Sequence, residues 1–132
     1  MGEFSKLLVW RKAHALALNV YRVAGGIRGS SHSPLRTQMI RAAMSIPTNI
    51  VEGRGQRSDK EFCRFLRISL NSSSELEYHL VVARDIQAIT LSDFRSLIDQ
   101  LVEVRKMLSG LIRTLSDSER PRITPRNDVP AS

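Results

Sequence analysis

Cysteine is almost missing: Cys63 is the only one in 132 residues. That excludes an internal disulfide and any cysteine-based metal cluster, and makes the thiol a buried structural residue by expectation. Aromatic residues are scarce too, at 5%, whereas apolar residues reach 42%, mostly Leu, Ile, Val and Ala. Such a supply excludes a disordered chain, and its aliphatic character favours helices packed on helices over a sheet. No apolar run approaches the roughly 20 residues of a membrane span. The opening MGEFSK has neither the basic-then-apolar layout of a signal peptide nor the Ser or Thr of a myristoylation signal at position 6, where Lys6 stands. A soluble cytoplasmic protein is the expectation.

Catalytic signatures are equally thin. His14, His32 and His79 are scattered without metal-ligand spacing, and the zinc, phosphate-loop and nucleophile-elbow motifs are all absent. Glu75 and Glu77 are two apart and face different ways on a helix. Glu75 and His79 are four apart, where a carboxylate metal bundle uses three. The reading is a non-enzyme with no metal and no cofactor.

What is present is helical periodicity. Val9, Ala13, Leu16, Val20, Val23 and Ile27 recur at steps of four and three, up to Gly25-Gly26 and a Ser-rich stretch at 29–33. A second stripe runs Leu35, Met39, Ala42, Ile46 and Ile50. Ser33 is its expected cap, Pro34 its first residue, and Gly53 and Gly55 its left-handed stop. The third helix opens on Ser58 and Glu61 at capping-box spacing. It continues through Phe62, Leu66, Ser69, Ser73, Leu76, Leu80 and Ala83. Leu97, Leu101, Val104, Leu108, Leu111 and Leu115 make the fourth. Short connections between such helices predict an all-α, up-down-up-down four-helix bundle with antiparallel neighbours over residues 1–116. Residues 117–132, with three prolines and few apolar residues, read as a flexible tail.

Pro47 falls inside the second helix. Proline removes one backbone hydrogen bond and clashes with the carbonyl four residues back, here that of Ala43. Either the helix ends at Ile46 and restarts, or one helix bends. The stripe stays in phase through Ile50, which favours the bend. Thr48, Asn49 and Glu52 stand close enough to answer the released carbonyl. A polar cluster of Asn49, Glu52 and Glu75 with the serines of SLNSSSELE (69–77) is expected there.

Charge is lopsided. Residues 1–67 hold 12 Lys+Arg against 4 Asp+Glu, a balance of +8, and residues 68–132 hold 8 against 9, a balance of −1. Within the basic half, Arg54, Arg57, Lys60, Arg64 and Arg67 are spaced 3, 3, 4 and 3. From Arg57 onward this follows one helix face. A row of cations suits the phosphates of RNA or DNA, and without stacking aromatics in the row it argues against sequence-specific readout. Trp10, Ala17 and Tyr21 widen the first stripe beyond a narrow core, and surplus apolar surface of this kind marks an interface between copies. The rival reading is a scaffold that recruits another protein, with nucleic acid irrelevant.

With these residues identified, the chain resembles the small bundle proteins encoded in intervening sequences of 23S ribosomal RNA genes. The matches are LLVWRKA (7–13), LRTQMIRAAMSIPTNIVEG (35–53), SDKEFCRFLRIS (58–69) and SSSELEYHL (72–80). Asn71-Ser72 stands where the family more often has Gly-Ser. The resemblance implies a left-handed antiparallel bundle and, for several members, a homopentamer. A distant relative assists a reverse transcriptase by binding protein and RNA, which the resemblance extends to this chain as an expectation only.

Overall fold

Periodicity of 3.6 appears in the structure wherever it appears in the sequence. The computed structural model describes the backbone of residues 2–119 and the side chains of residues 6–117. It contains α1 (Gly2–Gly25), a 3-10 turn (Ser30–His32), α2 (Ser33–Arg54), α3 (Asp59–Asp85) and α4 (Leu91–Glu119). Among the described residues there is no strand. The tail expected over 117–132 falls outside the described residues from 120 on, and α4 extends three residues past the expected boundary.

The four stripes meet in one core. Leu16, Val20, Met39, Ile46, Ile50, Leu66, Leu76, Leu80, Leu101 and Leu108 are almost wholly buried in it. Each such side chain stabilises the fold by about 1.5–3 kcal/mol relative to leaving it in water. Trp10, Val23 and Leu35 are only partly buried against the edge of that core.

The seam between α2 and α3 is built from small residues. Ser69, Ser72 and Ser73 are buried. Ser69 Oγ donates to the Ile46 carbonyl at 2.8 Å, and the hydroxyls of Ser45 and Ser72 share a hydrogen bond of 2.7 Å. Small side chains let the two backbones approach, and the hydroxyls are satisfied by each other or by backbone carbonyls in place of water.

Pro47 lies within an uninterrupted α2. Thr48 Oγ1 donates to the Met44 carbonyl at 2.8 Å, and Asn49 Nδ2 donates to the Ser45 carbonyl at 2.8 Å. Both bonds reach back four residues. By the same geometry, the side chain placed to answer the Ala43 carbonyl would be residue 47, the proline itself. The donors therefore serve the two carbonyls next to the one expected.

Helix ends differ from expectation in two places. Ser33 is the first residue of α2 and not its cap; His32 holds the cap position without a side-chain bond. Gly53 does not stop α2. It is buried within the helix, and Gly55, the residue that closes α2, keeps right-handed angles at φ −82°. The start of α3 follows the sequence closely, with Ser58 Oγ accepting from the Glu61 N–H at 3.1 Å.

Candidate nucleic-acid interface

The basic row begins where α2 ends. Arg54 is the last residue of α2 and Arg57 stands in the turn before α3. Lys60, Arg64 and Arg67 then follow at steps of four and three along α3, all exposed. Arg64 is held on both sides: its Nε reaches Glu61 Oε1 at 3.1 Å, and its guanidinium lies 4.6 Å from the centre of the Phe65 ring. An exposed pair of this type stabilises by well under 1 kcal/mol, so the cation is easily released to a phosphate.

What anchors this row is packing below it. Gly53 carries no side chain because Phe62 and Phe65 occupy that space. The end of α2 is thereby pressed against the start of α3, bringing Arg54 and Arg57 to the foot of the α3 row. On the other flank, Cys63 is buried against α4, its sulfur 3.8 Å from the Ile112 carbonyl and 3.7 Å from Ser116 Oγ. Above this thiol, Lys60, Arg67 and Ser116 line a hollow of about 340 Å³. Further along the same seam, Arg105 of α4 donates to Glu77 Oε1 at 2.7 Å and lies against Ser73. Sequence reasoning took Gly53 for a helix stop and passed over Arg105, since neither falls in an apolar stripe.

The expected polar cluster divides. Asn49 joins the serines, donating to Ser45 Oγ at 3.0 Å. Glu75 borders Ser45 at the surface, where its nearest ionic partner is His79 at 4.0 Å. Glu52 lies on another side of α2, in a groove shared with α1. Residues 49 and 52 are about 60° apart around α2, enough to turn Asn49 toward Ser45 and leave Glu52 at the edge of the groove with α1.

That groove, about 380 Å³, is mainly apolar, with Trp10, Ala17 and Leu18 on one wall and Met44, Pro47 and Val51 on the other. The Trp10 and His14 rings stack within it, 5.0 Å apart and 5° from parallel. Ala17 is 4% exposed and so belongs to the core as well as to the groove floor. Tyr21, at 56%, stands one helical turn along from Ala17. Leu18, Met44 and Val51 are also exposed. Among the described residues, no group of three His, Cys, Asp or Glu side chains is placed to hold a metal ion, and no helix is long and apolar enough to cross a membrane.

The sequence profile of the 23S rRNA-intervening sequence protein family matches residues 5–110, which spans α1, α2, α3 and most of α4. The chain belongs to that family. A structural neighbour agrees in fold: a protein of unknown function from the S23 ribosomal protein family of Bacteroides thetaiotaomicron superposes with a TM-score of 0.77. It is 24% identical, and the match covers 83% of this chain and 98% of the other. No functionally curated protein matches the chain.

Proposed function

We propose that this family member is a non-enzymatic, self-assembling cytoplasmic bundle that binds RNA or DNA through the basic face of α3. The observation carrying the proposal is the exposed row of Arg57, Lys60, Arg64 and Arg67, continuous with Arg54 and bordered by the hollow over Cys63. Phosphates are the natural partners of cations so spaced, and glycines at 53 and 55 flank the foot of the row. Copies join along the apolar strip of α1 and α2, where Trp10, Ala17 and Tyr21 lie, forming the homopentamer that the family resemblance implies. Repetition of the row around a ring multiplies phosphate contacts, and with them both affinity and salt sensitivity.

The underlying bundle is up-down-up-down, antiparallel and left-handed, with α2 bent at Pro47. Contact pairs support the alternation: 46 with 69 and 53 with 62, 63 with 116 and 73 with 105, 12 with 103 and 19 with 100. In each set one number falls as the other rises.

The exposed strip of Leu18, Tyr21, Met44 and Val51 favours a second reading, a scaffold that recruits another protein by burying that strip. Charge reversal separates the two. Arg57→Glu with Arg64→Glu should abolish binding to mixed RNA at low salt while leaving the helical spectrum intact. Full binding by that variant, or none by the unaltered protein, rejects the nucleic-acid reading.

A further inference from the structure

Resting on the basic-face reading, we infer that the bound species is a single strand lying along the groove between α3 and α4, with one base stacked on Tyr78.

The α3 face does not end at Arg67. Continuing at the same helical steps, Asn71, Ser74 and Tyr78 follow Lys60, Arg64 and Arg67, and all are exposed. Tyr78 is 66% exposed, the most open of the large hydrophobic side chains among the described residues. No core contact accounts for an aromatic ring held that far out. Its neighbour His79 meets it only at 6.0 Å and a tilt of 57°, leaving the ring faces open. From Lys60 to Tyr78 the helix rises about 27 Å, room for a strand of several nucleotides.

The facing helix supplies a second wall. Ser116 reaches Cys63 across the seam. Arg113 stands one turn from Ser116, and Lys106 two turns further on the same flank; both are exposed. Cations on two helices thus border one groove, which begins at the hollow of Lys60 and Arg67. The Arg105–Glu77 pair bridges the helices beside Tyr78, so the two charges nearest the aromatic on the seam cancel. Backbone phosphates match the lower part and a base matches the upper part. A duplex, whose bases are already stacked on each other, has nothing to offer Tyr78. Sequence position alone hid this, since Tyr78 lies eleven residues beyond the last arginine of the row.

The test compares a mixed-sequence RNA of about 12 nucleotides with the same RNA as a duplex. Tyr78→Ala should weaken single-strand binding about tenfold, the scale of one lost base stack. Duplex binding should stay within about twofold, and Tyr78→Phe should bind the strand like the unaltered protein. Lys106→Glu with Arg113→Glu should flatten the salt dependence. Tyr78→Ala binding the single strand as well as the unaltered protein overturns this inference while leaving the basic-face reading standing. Absence of any binding by the unaltered protein overturns both.

Discussion

Replacing Gly53 by alanine tests the packing that seats the basic row. A Cβ at this position would lie 2.5 Å from Phe62 Cδ1, 3.0 Å from Phe62 Cε1 and 3.0 Å from Phe65 Cβ. Carbon atoms rest at about 3.5–4.0 Å, so the closest overlap is about 1 Å. Phe62 is buried, and the Phe65 Cβ is fixed to its backbone, so relief requires α2 to move away from α3. Overpacking of this degree costs about 1–3 kcal/mol. Alanine returns about 1 kcal/mol as a better helix former, for a net loss of about 0–2 kcal/mol. Gly110, inside α4, is the control. Nothing lies within 4 Å of a Cβ built there, so Gly110→Ala should gain about 0.5–1 kcal/mol. Urea denaturation followed by circular dichroism should therefore separate the two variants by roughly 0.5–3 kcal/mol at an unchanged slope, with Gly53→Ala the less stable. Gly53→Ala matching or exceeding Gly110→Ala in stability would refute the reasoning.

Other expectations follow from single contacts. Gln87, just past α3, holds a left-handed φ of 60°, which costs a non-glycine residue about 1–2 kcal/mol. Gln87→Gly should therefore raise the melting temperature by a few degrees, and a lower one contradicts that strain. Ser69→Ala removes the bond to the Ile46 carbonyl and should cost about 0.5–1.5 kcal/mol in the same urea assay; an unchanged midpoint would mean the bond is energetically idle. Leu18→Glu with Val51→Glu places charges on two exposed positions of the α1–α2 strip. Light scattering should show the assembly falling to single chains without loss of helix, and an unaltered mass moves the interface elsewhere.

How far the residues alone disclosed this molecule depends on which physical signal each one carries. Leu97, Leu101, Val104 and Leu108 repeat every three or four positions, and a repeat of that kind has one cheap solution, burial on one side of a helix. Ser58 with Glu61 is a local device that needs nothing distant, and its Ser58 half forms as read, while the Glu61 carboxylate turns to Arg64. The losses came where an outcome depends on a partner across the fold. Gly53 looks like a stop until Phe62 and Phe65 are seen filling its missing side chain. Glu52 and Asn49 read as one polar group, yet a few residues of helical turn send one toward α1 and the other toward the serines of α3. Ala17 seemed spare apolar surface, but α2 covers most of it. The spacing of Lys60, Arg64 and Arg67 was legible because it is a property of a single helix, whereas Arg54 and Arg57 lie before α3 begins. Arg113, Lys106 and Tyr78 became visible only once α4 was set beside α3.

Titration of single-stranded RNA against the unaltered protein at rising salt tests the basic face most directly. Four phosphate contacts from Arg57, Lys60, Arg64 and Arg67 predict a log–log slope of about −3, or about 60-fold weaker binding between 50 and 200 mM salt, and contacts from Lys106 and Arg113 steepen it to about −4. A slope near zero, or affinity that survives 200 mM salt undiminished, would contradict it.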